Sequence, residues 1–430
     1  MNSIKTFIKE LHDFLILWLT QSFSSLGSSM TNFAMIIWSY QQNGSSLQTA
    51  LLAVCSYLPY VVMSVFAGAL SDRWNKKISI LVCDSFAAGC SCMVLILLLT
   101  GKLEVWHLYA LNALNGLMNT VQQPAGDVSI SLLTPKKYYQ RVSGMKSFSN
   151  SLVNVMTPVL ATAFLSVFSV QTVIIFDLLS FAVAFVALAF FVKIPEIKKE
   201  KEVKESLLKA AKAGLSYLGQ NRGILNLILF LSGINLIASA YNAALPAMIL
   251  SRNGGSEVAL GLVTMAEGVA TIVGSLIVSL LPAPKSRVRV ICNTLLFSMS
   301  TENFFLAFGR SVPIWCIGAV LGWIVIPIMG ANLDVLLRNH IPIEMQGRVY
   351  SARNTLQFFT IPIGYFLGGI LVDKVFEPIM KLQTSQSILT FLFGSGKGTG
   401  AAMLFLILAF AGIFVCMIFR RNTAIRQLDI

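Results

Sequence analysis

The chain has 430 residues, of which 56% are hydrophobic and only 12% charged, and its formal net charge is +13. Soluble chains carry about 25% charged residues, so this composition excludes a soluble globular enzyme and a nucleic-acid-binding domain. The basic excess instead has a place at a membrane surface, where anionic lipid faces it.

Apolar stretches of bilayer-spanning length recur along the whole chain. They predict twelve helices, near 14–40, 47–71, 78–100, 104–133, 142–168, 171–192, 223–250, 258–281, 288–309, 312–338, 349–374 and 399–419. The first is too long for a signal-peptide core and has no small-residue cleavage site behind it, so it reads as a retained helix. Between the second and third lies the charged decapeptide Gly68-Ala69-Leu70-Ser71-Asp72-Arg73-Trp74-Asn75-Lys76-Lys77. Residues 193–222 are dense in charge, with Leu207, Leu208, Ala211, Leu215 and Leu218 at helical spacing. That pattern predicts an amphipathic helix lying on the inner membrane surface. Most Lys and Arg fall in alternate loops and at both ends, which predicts cytoplasmic termini.

The chain repeats itself. One shift carries Asp127-Val128 onto Asp334-Val335, Pro135 onto Pro342 and Arg141-Val142 onto Arg348-Val349. A parallel duplication of a six-helix unit explains that register. The expected fold is therefore an all-α integral membrane protein of twelve transmembrane helices. Its parts are a six-helix half at 1–192, a cytoplasmic amphipathic linker at 193–222 and a second half at 223–430.

Gly68, Asp72, Arg73, Lys76 and Lys77 match the Gly-x-x-x-Asp-Arg-x-x-basic-basic loop of the major facilitator superfamily, which the chain resembles. Leu58-Pro59-Tyr60, Ile194-Pro195, Gln220-Asn221-Arg222-Gly223, Asn242-Ala243-Ala244-Leu245-Pro246, Gly347-Arg348-Val349 and Ile425-Arg426-Gln427-Leu428-Asp429 are similar to segments of its macrolide-efflux (Mef-like) branch. The resemblance implies export of amphipathic drugs by alternating access, with protons in exchange, from a bacterial inner or plasma membrane. It implies that Asp127 joins Asp72 and Arg73 in a charge network closing the inner gate, with Asp72 also facing the helix that starts near Arg348. The fifth helix departs from the drug/proton antiporter pattern. It reads Thr157-Pro158, with the proline of the signature but without its glycines. A flippase, or an exporter of an endogenous lipid, siderophore or peptide metabolite, fits the same architecture.

Polar side chains in a membrane helix face protein or water. Four helices carry them at steps of three or four: Gln21, Ser25, Ser28 and Asn32; Asn112, Asn115, Asn119 and Gln122; Ser143, Ser147, Asn150 and Asn154; Ser232, Asn235, Ser239 and Asn242. One such stripe is ordinary interhelical glue. Four predict a shared aqueous cavity for a small amphipathic substrate, with Trp323 among its aromatic lining. Among the acidic residues, Asp84 falls about two turns into the third helix near the inner surface, Asp177 near the outer end of the sixth, and Glu302 about two turns from the outer end of the ninth. Glu267 falls centrally, and a charge there costs about 3 kcal/mol or more. It is the candidate proton-coupling group, expected to stand alone at its depth.

Enzyme chemistry has no constellation to use. The three histidines, His12, His107 and His340, lie apart, and there is no phosphate-binding loop. The seven cysteines fall inside predicted helices without metal-ligand spacing and are expected as free thiols. No cofactor or metal is expected. The expected partners are the substrate, protons and the lipid bilayer, with no nucleic acid, and the chain is expected to act as a monomer.

Overall fold

A computed structural model describes residues 8–73, 75–135, 138–195, 207–252, 254–384 and 386–429. The side chains of 64–73, 139–141, 143, 207–212, 279, 338, 343–348 and 351 lie outside that description. The described secondary structure is helical. In chain order it comprises α1 (His12–Asn43), α2 (Ser46–Arg73), α3 (Lys76–Leu99), α4 (Val105–Leu133), α5 (Tyr139–Val167), α6 (Val170–Val186) with a π turn (Ala187–Phe191), and α7 (Leu207–Gln220). Then come α8 (Arg222–Ser251), α9 (Glu257–Leu280), α10 (Arg287–Phe308), α11 (Val312–Trp323), α12 (Ile326–His340), α13 (Ile343–Phe358) and α14 (Thr360–Ile370). A second π turn (Leu371–Phe376) leads to α15 (Glu377–Lys381), α16 (Ile388–Phe393), α17 (Thr399–Arg420) and α18 (Thr423–Arg426).

Among the described residues, nine helices are long and apolar enough to cross a membrane. Helices α1, α4 and α10 have the length but fall short in hydropathy. The first two carry two of the four polar stripes, and α10 carries Glu302 and Asn303. Two predicted helices are broken. The one expected over 312–338 divides after Trp323, because Pro327 has no N–H to offer the Trp323 carbonyl. The one expected over 349–374 divides after Phe358, four residues before Pro362.

The surface reverses the pattern of a soluble protein. Leu280, Phe410 and Phe414 are 84%, 58% and 66% exposed, whereas Asp177, Glu302, Asn303 and Arg252 are buried. Exposed apolar side chains on this scale are lipid-facing. Lipid tails are as apolar as leucine, so helix association rests on close packing and interhelical hydrogen bonds.

The chain packs as two compact units. The first contains residues up to Met35 together with Cys55–Leu207, and the second Ile36–Val54 together with Leu208–Ile430. In the first, α1 is the central post. Leu17 packs with Ile80, Ala125, Leu188 and Val192, and Met30 and Ala34 pack with Ala161 and Val173. Leu11 and Phe14 pack with Val142. On α4, a Cβ at Gly116 would lie 2.1 Å from the Ser56 carbonyl oxygen, so only glycine permits that approach to α2. Lys77 donates to the carbonyls of Ala189 and Val192 at 3.0 and 2.8 Å, satisfying the end of the α6 segment.

In the second unit α8 is the buried post. Three helix N-termini there are capped by carboxylates from elsewhere in the chain. Asp373 accepts from Ser45 Oγ, Ser46 N and Leu47 N at 2.6, 3.0 and 2.9 Å, closing the start of α2. One turn later Glu377 accepts from Gly398 N and Gly400 N at 2.9 and 3.1 Å, closing the start of α17. Near the C-terminus, Asp429 accepts from Ser286 Oγ and, at 3.1 Å, from Val288 N, closing the start of α10. A helix start presents unpaired N–H groups and a partial positive charge, and a carboxylate answers both. The amphipathic α7 is anchored by Leu218, only 1% exposed, and by Tyr217, whose hydroxyl donates to the His340 carbonyl at 2.9 Å.

Replacing Asp373 tests this capping. Asp373→Ala leaves two backbone donors without their acceptor and should destabilise the protein by about 1–3 kcal/mol. The readout is a lowered thermal unfolding temperature in detergent, with Asp373→Asn, which keeps one acceptor oxygen, falling between the variant and the parent. An unchanged unfolding temperature for Asp373→Ala would mean that the cap contributes nothing.

Candidate proton and substrate site

Glu267 lies on α9, about 15 Å along the helix from Glu257 at 1.5 Å per residue. Glu302 lies on α10, about 9 Å from Phe308 by the same rise. The depths differ by about 6 Å on that reckoning, and Tyr241 of α8 closes the gap. Its hydroxyl oxygen is 2.9 Å from Glu267 Oε1 and 2.6 Å from Glu302 Oε1. Trp323 Nε1–H donates to the same Glu302 oxygen at 2.9 Å. Glu267 is therefore not the solitary carboxylate expected from its depth. Each glutamate was placed from the ends of its own helix, and that measure does not show that α8 sets a tyrosine between them.

The surroundings hold the cluster tightly. Tyr241 and Glu302 are 4% and 3% exposed, and Glu267 is half-buried. The Tyr241 ring rests edge-on against Phe405 of α17, with centroids 5.4 Å apart. Gly322 leaves the slot for Glu302, because a Cβ there would lie 2.5 Å from Glu302 Oε2. The break after Trp323 ends α11 beside this slot, with Trp323 at its last turn.

Two further carboxylates sit inside the first unit. Asp84 of α3 accepts from Gln21 of α1 at 2.9 Å and from Gln122 of α4. Asp177 of α6 accepts from Ser28 of α1 and Ser91 of α3, both at 2.9 Å. These bonds give Gln21, Ser28 and Gln122 a helix-joining role. In the second unit, Ser232 meets Thr360 at 3.3 Å and Asn235 donates to the Gln357 carbonyl at 3.0 Å.

The other stripe residues behave differently. Ser25, Asn32, Asn119, Asn150, Asn154 and Asn242 are exposed on their helices, and the buried Asn115 Oδ1 has no hydrogen-bond partner. The stripes thus divide into a joining set and an open set. Spacing alone could not divide them, because both sets step by the same three or four residues.

Of the expected gating residues, the side chains of Gly68, Asp72, Arg73 and Arg348 lie outside the described residues. Asp127 pairs with Lys146 of α5. Lys77 is engaged with the α6 carbonyls, and Asn75 caps α3 by accepting from Ile78 N at 3.2 Å. Among the described residues no group of three or more His, Cys, Asp or Glu is arranged to hold a metal ion.

Sequence reasoning missed Arg252, buried in the second unit. It donates to the carbonyls of Leu306 and Phe393 at 3.3 and 2.7 Å. It also missed the bond between Glu302 and Trp323. The signal available was Gly318 and Gly322, one turn apart, which open one face of α11 toward α10.

Gly322→Ala should force Glu302 from its slot and destabilise the protein by about 1–3 kcal/mol. Gly330 has nothing within 4 Å of its Cβ position, so Gly330→Ala should be near neutral. Thermal unfolding of both variants in detergent makes the comparison. Equal unfolding temperatures would show that the slot is not tight.

The model of the Major Facilitator Superfamily matches residues 17–365. The chain is 21% identical over 366 residues to a macrolide efflux protein A of Streptococcus pyogenes, across 84% of this chain and 90% of the relative. A macrolide efflux protein A of Enterococcus faecalis is 21% identical over 317 residues, across 73% of this chain and 97% of the relative. Among solved structures, the nucleoside transporter NupG superposes with a TM-score of 0.65 at 14% identity, covering 96% of this chain and 99% of that one. A bacterial homolog of the human lysosomal transporter Spinster, inward-facing and unoccupied, superposes at 0.61 with 12% identity, covering 96% and 92%. These likenesses show the fold alone.

Proposed function

Because the chain belongs to the Major Facilitator Superfamily, we propose that it is a secondary transporter exporting amphipathic, macrolide-like drugs by alternating access in exchange for protons. The observation that carries this reading is Glu267. It is a half-buried carboxyl in the middle of a membrane helix, and its partner among the described residues is a tyrosine rather than a cation. A structural glutamate at that depth would be paired and sealed. One that keeps a partly exposed face and has no counter-ion among the described residues is suited to take up and release a proton.

Several features support the rest. The efflux relatives favour export. The exposed amides and hydroxyls of the first unit at Ser25, Asn32, Asn119, Asn150 and Asn154 suit a large ligand with scattered polar groups, bound through many weak contacts. The distribution of Lys and Arg supports cytoplasmic termini, and the bacterial relatives support the plasma membrane. The loop residues Gly68, Asp72, Arg73, Lys76 and Lys77, with Asp127, serve the gate in the first unit, and Arg348 holds the repeated position in the second. There the breaking and remaking of charge contacts accompanies the change of access.

The test uses everted membrane vesicles and radiolabelled erythromycin, a macrolide with one basic amine. The parent protein should concentrate the drug against its gradient, and an uncoupler should abolish this. Glu267→Gln keeps size and hydrogen bonding, so drug binding should persist while uphill transport falls by about tenfold or more. Uncoupler-sensitive uphill transport at the parent rate by Glu267→Gln would contradict the assignment.

A further inference from the structure

Resting on the proton-driven reading above, we infer that Glu267, Tyr241 and Glu302 form a two-station relay for one proton, with Glu267 as the loading station and Glu302 as the store. A tyrosine hydroxyl has one proton to donate, and an indole N–H can only donate. Glu302 Oε1 lies 2.6 Å from the Tyr241 hydroxyl and 2.9 Å from Trp323 Nε1, so two donors converge on it. The shorter contact falls in the range of a hydroxyl bound to a carboxylate. Tyr241 therefore gives its proton to Glu302. The remaining contact, 2.9 Å between Tyr241 and Glu267, is a hydrogen bond only when Glu267 carries a proton and donates it. Two carboxyls on one hydroxyl cannot both be charged cheaply, which agrees with one proton held between them.

The surroundings give the pair a direction. Glu267 keeps part of its side chain at the surface of its helix, whereas Glu302 is 3% exposed behind Tyr241. The titratable groups facing one another are Glu267 from α9, Glu302 from α10 and Tyr241 from α8. The indole of Trp323 comes from α11 and the ring of Phe405 from α17, and neither titrates. Among the described residues no Lys, Arg, His or Asp faces the pair.

The transfer balances without another reactant. The Glu267 O–H bond breaks as a Tyr241 O–H bond forms, and the original Tyr241 O–H bond breaks as a Glu302 O–H bond forms. Tyrosine is unchanged, and the negative charge moves from Glu302 to Glu267. The stored proton rides through the change of access while Glu267 stands ionised toward the substrate. It returns by the same path when Glu267 meets water on the other side. Its departure leaves two carboxylates about one hydroxyl, and a positive charge on the arriving drug offsets that repulsion.

Tyr241→Phe removes the bridge with little change of shape, and Glu302→Gln keeps the store's size while removing its charge. Both should still bind erythromycin measurably and carry out energy-independent exchange of labelled for unlabelled drug. Both should lose uphill transport in energised vesicles by more than about tenfold. The pH profile of the residual rate should flatten in Glu302→Gln, because only one station then titrates. Should Tyr241→Phe fail to fold, as judged by size-exclusion chromatography in detergent, Glu302→Gln decides alone. Parent-like uphill rates and pH profile in the folded variants, with Glu267→Gln inactive, would overturn the relay and leave proton-driven export standing. Parent-like uphill transport in Glu267→Gln as well would overturn both.

Discussion

A polar group that enters the bilayer core needs a partner from the protein or from water, because lipid offers none. This constraint arranges the molecule more than hydrophobic burial does. Arg252 buries its guanidinium only because two carbonyls receive it. Asp84 and Asp177 are each held by donors from two other helices. Asp373, Glu377 and Asp429 close helix starts that would otherwise leave N–H groups unpaired. In water such bonds exchange with solvent and contribute little. Here they specify which helices stand together, each adding about 0.6 kcal/mol and up to about 2.

Against that background the Glu267–Tyr241–Glu302 cluster is the exception that carries chemistry. Asp84 and Asp177 each accept from side chains of two other helices, which fixes them as joints between helices. The Glu267 and Glu302 pair has too few donors for two charges and shares a single hydroxyl. The same rule that makes Asp84 a joint therefore makes Glu267 and Glu302 a place for a mobile proton. The glycine at 322 and the break at Pro327 belong to this design. They bring the α11 backbone close to Glu302 and turn the Trp323 indole onto it.

Much of the fold was legible in the sequence. Apolar runs placed the long helices to within a few residues, because a bilayer thickness sets their length. The breaks at Pro327 and Pro362 escaped a hydropathy reading, since apolar composition continues across them. The candidate site was legible in part. Glu267 stood out through its depth along α9. Its partnership with Glu302 did not, because it depends on which face of α8 carries Tyr241 and how α9 and α10 flank it. The polar stripes were visible as periodic rows, yet Gln21 and Asn32 share one row and have different surroundings. Gln21 reaches a carboxylate across the helix interface, while Asn32 stays open. Only packing separates them.

Drug binding and proton release are coupled through the Glu267–Tyr241–Glu302 cluster. Proton release on drug binding tests that coupling most directly. The purified protein, in detergent and weakly buffered solution with a pH indicator, is titrated with erythromycin. The account predicts release of about one proton per drug bound, absent from the variant carrying both Glu267→Gln and Glu302→Gln. Saturable drug binding by the parent protein with no proton released would contradict it.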